Sequence, residues 1–394
     1  MEIRLSNINE IQGVRDLWTY CFNDSQAYVD FYFKNKYKPE KTMVVEEDGR
    51  ILSSIHLNQH RLKVSGRDLA TSYIVGVSTL AEARGRGFMA DLMSRSLYQI
   101  RDMDQSFAIL MPIDHRLYRR YGFETCYDMQ EVKLDIIDLK KFKLDGSFRK
   151  AGQDSLGDLV DIYSSAMARY NGAAIRDSKY FSEFIDEMDL EGGHIYICYR
   201  DGQPTAYLAY SMDGEDFFVR EVYYNDMKAY QSVLKFIFNH NTQCKYVTIN
   251  TAVDDRLMDI LDNPKDASFE LKPFMMARIV DLEKFVEDLD LRLGYENCQA
   301  ISANIEISDP AIKENNGIFS FEVKSGILVA RRLANLGDEV DTIDASLTIN
   351  ELTAILFAYR SIEEICFRRG LELNENLRAL FNFEAKSNHI NEYV

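Results

Sequence analysis

Between Ser72 and Glu124 the chain sets out an apolar strand, an arginine-glycine turn, a helical pattern, a second apolar strand and a tyrosine ahead of Gly-Phe, and few folds accept that order. Tyr73–Leu80 is a β-branched run, and Met89, Leu92, Met93, Ser96 and Leu97 then recur at helical spacing. Gly85 and Gly87 therefore fall at a strand-to-helix junction. There they permit positive φ and close backbone approach, so successive N–H groups point into one concavity at the positive end of a helix starting near Phe88. Such a junction suits a pyrophosphate. Arg84 and Arg86 add local positive charge, which matters in a chain whose formal net charge is −17. The plainer reading of the same residues is a tight turn with exposed arginines.

Downstream, Gln105–Pro112 reads as a buried strand, and Leu117–Glu124 places Tyr118 four residues before Gly122-Phe123. Together the two stretches resemble the GNAT superfamily of acyl-CoA N-acyltransferases. Its Arg/Gln-x-x-Gly-x-Gly/Ala signature is met by Arg84 and Gly87 and departs at Met89. The resemblance implies acetyl-CoA as co-substrate, and the scattered cysteines and histidines argue against a metal. Val77 and Thr79 would offer strand backbone to pantetheine, Arg84, Gly85, Arg86 and Gly87 would hold the pyrophosphate, and Tyr118 would protonate the departing thiolate. A phenol of pKa about 10 stays protonated at neutral pH and can donate to a thiolate of pKa about 8.5 as it forms. Tyr118 also fits as a core aromatic beside Tyr121 and Phe123.

At 394 residues and 46% hydrophobic composition the chain is long enough for two or three packed domains. No run approaches the roughly 18 apolar residues of a membrane span, and Met1-Glu2-Ile3-Arg4 opens without a signal-peptide core, so a cytoplasmic protein is expected. The six cysteines are scattered without a Cys-x-x-Cys pair and read as buried, reduced thiols. The six histidines show no metal spacing; His56 and His60, in a strand-like stretch, read as surface or packing residues. With 63 acidic against 46 basic residues, the balance argues against a nucleic-acid partner and favours a cationic small molecule.

Met43–Leu52 is a strand, an Asp-Gly turn and a strand, and Ile195–Pro204 repeats it. Phe217–Tyr224 then resembles the central strand and Ala229–Phe238 the following helix. Their junction, Asn225–Lys228, has no glycine and one acid, so a second GNAT-like fold without a cofactor site is expected. In the last 110 residues Ile305–Ile307 and Phe319–Val323 flank a turn at Asn315-Asn316-Gly317, and Ile327–Val329 and Ala345–Thr348 continue a sheet. Thr348–Glu351 and Ser361–Glu364 have the capping-box pattern, with Gly370 as C-cap of the second helix. Leu352, Ile355, Leu356 and Tyr359 give the first of these helices an apolar face. The expected fold class is α+β and α/β, with tandem GNAT folds, mixed central sheets flanked by helices, over 1–146 and 147–284, and a sterol-carrier-like α+β domain over 285–394.

That order, with Met275–Asp281 leading into the last domain, resembles the Eis (enhanced intracellular survival) family. The resemblance implies acetylation of amines, aminoglycosides among them, and assembly as a homo-oligomer, a hexamer. It also implies that the carboxylate closing the chain, here on Val394 where the family usually has an aromatic residue, acts as general base. Asp114 and His115 are the alternative bases. Phe22, Asp24, Tyr28, Phe31 and Phe33 form an aromatic and acidic segment, suited to a cation and placed by the resemblance beside the acyl end of CoA. Packing of an N-terminal helix explains the same residues. The expected function is direct acetyl transfer from acetyl-CoA to a cationic amine (aminoglycoside-like, polyamine or lysine), with no membrane partner. The alternative is a lipid- or small-molecule-binding protein with a vestigial GNAT site.

Overall fold

The computed structural model describes residues 1–291, 301–340, 342–382 and 386–393, so Val394 and Cys298 lie outside the described residues. The chain divides into two compact units, one of residues 1–127, 171–174 and 274–394, the other of 128–170 and 175–273.

The chain begins β1 (Glu2–Leu5), α1 (Ile11–Cys21), α2 (Gln26–Asn35), β2 (Thr42–Glu47), β3 (Arg50–Val64), β4 (Arg67–Thr79), α3 (Phe88–Asp102), β5 (Phe107–Leu110), α4 (His115–Arg119) and β6 (Glu124–Asp135). It continues through β7 (Ser147–Lys150), α5 (Leu156–Met167), β8 (Ala173–Ala174), α6 (Ser178–Leu190), β9 (His194–Arg200), β10 (Gln203–Asp213), β11 (Asp216–Tyr224), α7 (Met227–Phe238), β12 (Tyr246–Thr251), α8 (Leu257–Ile260) and β13 (Ser268–Ile279). The last part holds α9 (Leu282–Leu289), β14 (Ser302–Ser308), β15 (Gly317–Lys324), β16 (Ile327–Ala334), β17 (Ala345–Thr348), α10 (Ile349–Leu356), α11 (Ile362–Arg369) and α12 (Glu375–Leu380).

In the first unit the strand order is β1-β2-β3-β4-β5-β13, with β4 parallel to β5 and β13 antiparallel to β5. The β2–β3 turn is set by Asp48 and Gly49 at φ 52° and 79°, two successive left-handed residues that match the twist of a hairpin. A second sheet, β16-β15-β14-β17, belongs to the same unit. Phe107 on β5 packs against Phe285 of α9 and against Phe357, each at 5.5 Å between ring centroids. Residues of both sheets thus join one apolar core. The apolar stripe Leu352, Ile355 and Leu356 of α10 is buried in that core. Tyr359 is partly buried against it.

In the second unit the order β6-β12-β11-β10-β9-β7 repeats the plan, with β11 parallel to β12 and a β9–β10 turn at Asp201-Gly202 that has the same positive φ values, 52° and 77°. Helices α5, α6 and α7 pack on its strands. Among the described residues no helix is long and apolar enough to cross a membrane.

Candidate active site

Strand β4 pairs with β5 over Ser72–Ile74 against Ala108–Leu110, and Val75–Thr79 run on with no partner strand on that side among the described residues. On its other side β4 bulges against β3: Ser78 faces Ser54 and Val75 faces His56, so Gly76 and Val77 together oppose Ile55 alone. Gly76 is left-handed (φ 59°), and a Cβ there would lie 2.5 Å from Cζ3 of Trp18. Glycine is therefore required by both conformation and space. Beyond the bulge the half-exposed Val77 and Thr79 segment pairs with β3 alone, so the side that faced β5 is open to an extended, amide-bearing ligand, with the Thr79 carbonyl already accepting from Arg84 and Cys21.

The turn after β4 leads to Gly87, which caps α3 at φ 85° and ψ 0° and supplies no side-chain cap. The first N–H groups of a 15-residue helix are thus left for a ligand at its positive end. A Cβ on Gly85 or Gly87 would meet nothing within 4 Å, so the turn is open to solvent. Arg84 bonds the Thr79 carbonyl through Nε (3.3 Å) and makes no ion pair among the described residues. Arg86 forks onto Glu47 at 2.7 and 3.0 Å and stacks over the Phe88 ring, so its charge is already shared with a carboxylate.

Tyr118 sits on α4, a five-residue helix capped by Asp114, in the apolar cluster that also contains Phe88, Leu92 and Leu110. Its ring is buried and edge-on to Phe123, and its hydroxyl has no hydrogen-bond partner among the described residues. Burial raises its phenol above the usual value, with Tyr121 adding to the effect, so the proton stays on at neutral pH. Asp114 is occupied: its carboxylate accepts from the Arg116 backbone and guanidinium, which hold it down to about 2. A carboxylate so depressed is a weak base for an ammonium.

Residues 2–126 match the acetyltransferase (GNAT) domain family, residues 172–279 match a second acetyltransferase (GNAT) family, and residues 282–387 match the sterol carrier protein domain. The chain belongs to the GNAT acetyltransferases. It is 22% identical to an uncharacterised N-acetyltransferase of Streptomyces avermitilis over 192 residues, which span 44% of this chain and 45% of that protein, less than half of either. Its fold is shared with a probable N-acyltransferase of unknown function from Enterococcus faecalis (TM-score 0.87, 19% identity, 100% of this chain and 99% of that one). A GCN5-related N-acetyltransferase from Anabaena variabilis superposes at TM-score 0.84 with 19% identity, and Eis1 from Mycobacterium abscessus at 0.76 with 16%, both over the full length of each chain. The chain thus carries two GNAT acetyltransferase domains and a sterol carrier domain in a fold like that of Eis1, and a GNAT domain uses acetyl-CoA as co-substrate.

The second GNAT domain shows by contrast what the first leaves open. Helix α7 is capped by Asp226, whose carboxylate accepts from the Ala229 N–H at 2.9 Å and is held by Arg200. Where α3 presents free amides, α7 presents a carboxylate, and that site repels phosphate. Its strand bulge is closed as well: Arg220 pairs with Glu187 at 2.7 Å, and the buried Arg176 bonds Glu221 at 2.9 Å.

Of the aromatic and acidic N-terminal residues, Phe31 and Phe33 are buried, Phe22 and Tyr28 half-buried, and Asp24 exposed and bonded by the Trp18 indole at 2.8 Å. Phe33 packs with Trp18, Tyr32, Tyr37 and His56 beneath the Gly76 bulge. His56, enclosed by these rings, is pushed down to about 3 by burial and is a neutral bridge between Tyr32 and Ser54.

Near the other end of the chain, Ile390, Asn391 and Glu392 are buried, and the Tyr73 hydroxyl of β4 donates to the Glu392 carbonyl at 3.2 Å. The tail is fixed upstream. Asn388 donates to the carbonyls of Cys126 (2.9 Å) and Phe357 (3.0 Å), and Asn171 donates to Asn388 at 2.7 Å. Tyr73, Trp18 and the two asparagines were not singled out from the sequence. A glycine inside a β-branched run, opposite the chain's one tryptophan, was the signal available for Trp18.

Proposed function

We propose that the first GNAT domain transfers acetyl from acetyl-CoA directly to the nitrogen of a cationic amine. The observation that supports this best is the contrast between two copies of one plan: an unpaired β4 end and an uncapped α3 in the first, a plugged bulge and a carboxylate-capped α7 in the second. Val77 and Thr79 would pair with the pantetheine amides. Arg84, Gly85, Arg86 and Gly87 would hold the pyrophosphate, Arg86 loosening its fork on Glu47 to do so.

In the transfer step the neutral amine nitrogen attacks the thioester carbonyl, the new C–N bond forms, and the C–S bond breaks. Tyr118 gives its proton to the departing sulfur and regains one from solvent; the nitrogen sheds two protons, one from the ammonium before attack and one after the C–N bond forms, to a base and from it to solvent. The carboxylate of Val394 is our candidate for that base, supported by the buried course of residues 390–392 beside Tyr73. Asp24, Tyr28 and Phe22 are the proposed amine contacts, with Phe31 and Phe33 supporting them from the core. The amine classes we favour are aminoglycosides, polyamines and lysine, and we propose a hexameric assembly by likeness to the Eis family.

The test is a screen of these amines for thiol release from acetyl-CoA, with Tyr118→Phe as control. The variant is expected to bind acetyl-CoA normally and to turn over about 10²-fold more slowly, the usual range for loss of a general acid. Near-normal turnover would reduce Tyr118 to a packing residue.

A further inference from the structure

Helix α4 carries Tyr118 on only five residues, too few to hold their geometry unaided, and the last carbonyls of any helix lack partners within it. Here the Arg119 carbonyl that ends α4, and the Tyr121 and Phe123 carbonyls of the turn after it, are taken by side chains from distant parts of the chain. Asn350, at the start of α10 in the sterol carrier domain, donates through Nδ2 to the Arg119 carbonyl at 3.0 Å and to the Phe123 carbonyl at 2.8 Å. Arg278 on β13 donates through Nε to the Tyr121 carbonyl, and its other end is bound at 2.6 Å to Asp309 of the sterol carrier domain, both side chains fully buried. Between these two donors sits Gly122, left-handed at φ 89°, where a Cβ would lie 2.8 Å from Ile349 and 3.0 Å from Arg278 Nε. The turn that follows Tyr118 is thus held by Asn350, Arg278 and Ile349. The same domain also grips α3, through Glu314 accepting from Tyr98 at 3.0 Å and pairing with Arg101.

We propose that the sterol carrier domain serves the acetyl transfer as a clamp, with Asn350 and Arg278 as positioning residues for the Tyr118 turn. This rests on the reading of Tyr118 as the acid. A phenol displaced by an ångström from the departing sulfur loses most of its value as a donor, while a cofactor held by β4 and α3 would be unaffected. Asn350 is the position to probe, being half-buried and outside the apolar core.

Asn350→Ala is expected to raise amide hydrogen exchange over Arg119–Phe123 about tenfold, the effect of losing two bonds of ordinary net strength. Acetyl-CoA affinity by calorimetry should stay within twofold. With spermidine or kanamycin as acceptor, or water where neither is acetylated, kcat should fall about tenfold at unchanged KM. In a Tyr118→Phe background the same substitution should change kcat less than twofold, because the group it positions is already gone. Unchanged exchange, or a full tenfold further loss in the Tyr118→Phe background, would overturn the clamp. Should Tyr118→Phe alone turn over normally, the acid assignment falls instead, and the clamp is overturned as a catalytic device whatever the exchange shows.

Discussion

Gly87 separates backbone strain from ligand electrostatics in two substitutions. At φ 85° any L side chain enters the left-handed region, at a cost of about 1–2 kcal/mol of stability, and alanine and glutamate meet that cost alike. Since a Cβ there meets nothing within 4 Å, alanine adds no clash, and Gly87→Ala should bind acetyl-CoA within a few-fold of the parent. Gly87→Glu adds a carboxylate about 5 Å from where a pyrophosphate would sit on α3. One pair of unit charges at that distance repels by about 1 kcal/mol in water and about 3 kcal/mol at an effective dielectric of 20. The turn is exposed, so the effect should fall between these limits, roughly tenfold to a hundredfold in Kd, shrinking as salt is raised. Isothermal calorimetry at two ionic strengths reads it. Equal affinity of the alanine and glutamate variants at low salt would refute the cradle at α3.

Stoichiometry should be one acetyl-CoA per chain, because Asp226 fills the second helix terminus; calorimetric titration to two equivalent sites would contradict this. Asp309→Ala leaves the Arg278 guanidinium buried and unpaired and should destabilise the first unit by about 3–5 kcal/mol in urea denaturation. Adding Arg278→Met should recover much of that loss, and no recovery would mean that the Asp309 bonds to the Ala311 and Ile312 amides dominate. His56, near 6.5 when unfolded and about 3 when folded, binds its proton first in the unfolded chain, so the stability it confers is present above pH 6.5 and is lost as pH falls toward 3. Its share of the loss by pH 5 is about 2 kcal/mol, and His56→Gln should flatten that slope; an unchanged slope would place the titration elsewhere.

Local chemistry was readable where a short segment decides its own conformation. The hairpins at Asp48-Gly49 and Asp201-Gly202, the caps at Thr348 and Ser361, and Gly370 as a left-handed C-cap all follow from residues within a few positions of each other. The Gly87 turn and the tyrosine helix carry their own spacing. Partners far apart in sequence did not show. Asn350 bonds carbonyls 231 and 227 residues away, Tyr73 reaches a carbonyl 319 residues on, and Arg278 meets Asp309, 31 residues on. No window of sequence contains both members of such pairs. Burial of Phe31 and Phe33 was equally hidden, because an aromatic segment reads alike whether its rings face a pocket or a core.

The interruption of the first unit by residues 175–273 bears on how the protein is made. Strand β13, which pairs with β5, ends at Ile279, and the asparagines that hold the tail are Asn171 and Asn388. During synthesis the opening 127 residues therefore leave the ribosome with one sheet edge unpaired and more than half of their shared core absent, while residues 175–273 have every strand they need but β6 and β7, already made. The unit that begins first is the one that finishes last. From the end of β5 at Leu110 until β13 is complete at Ile279, the nascent chain carries an open β-edge in its N-terminal half.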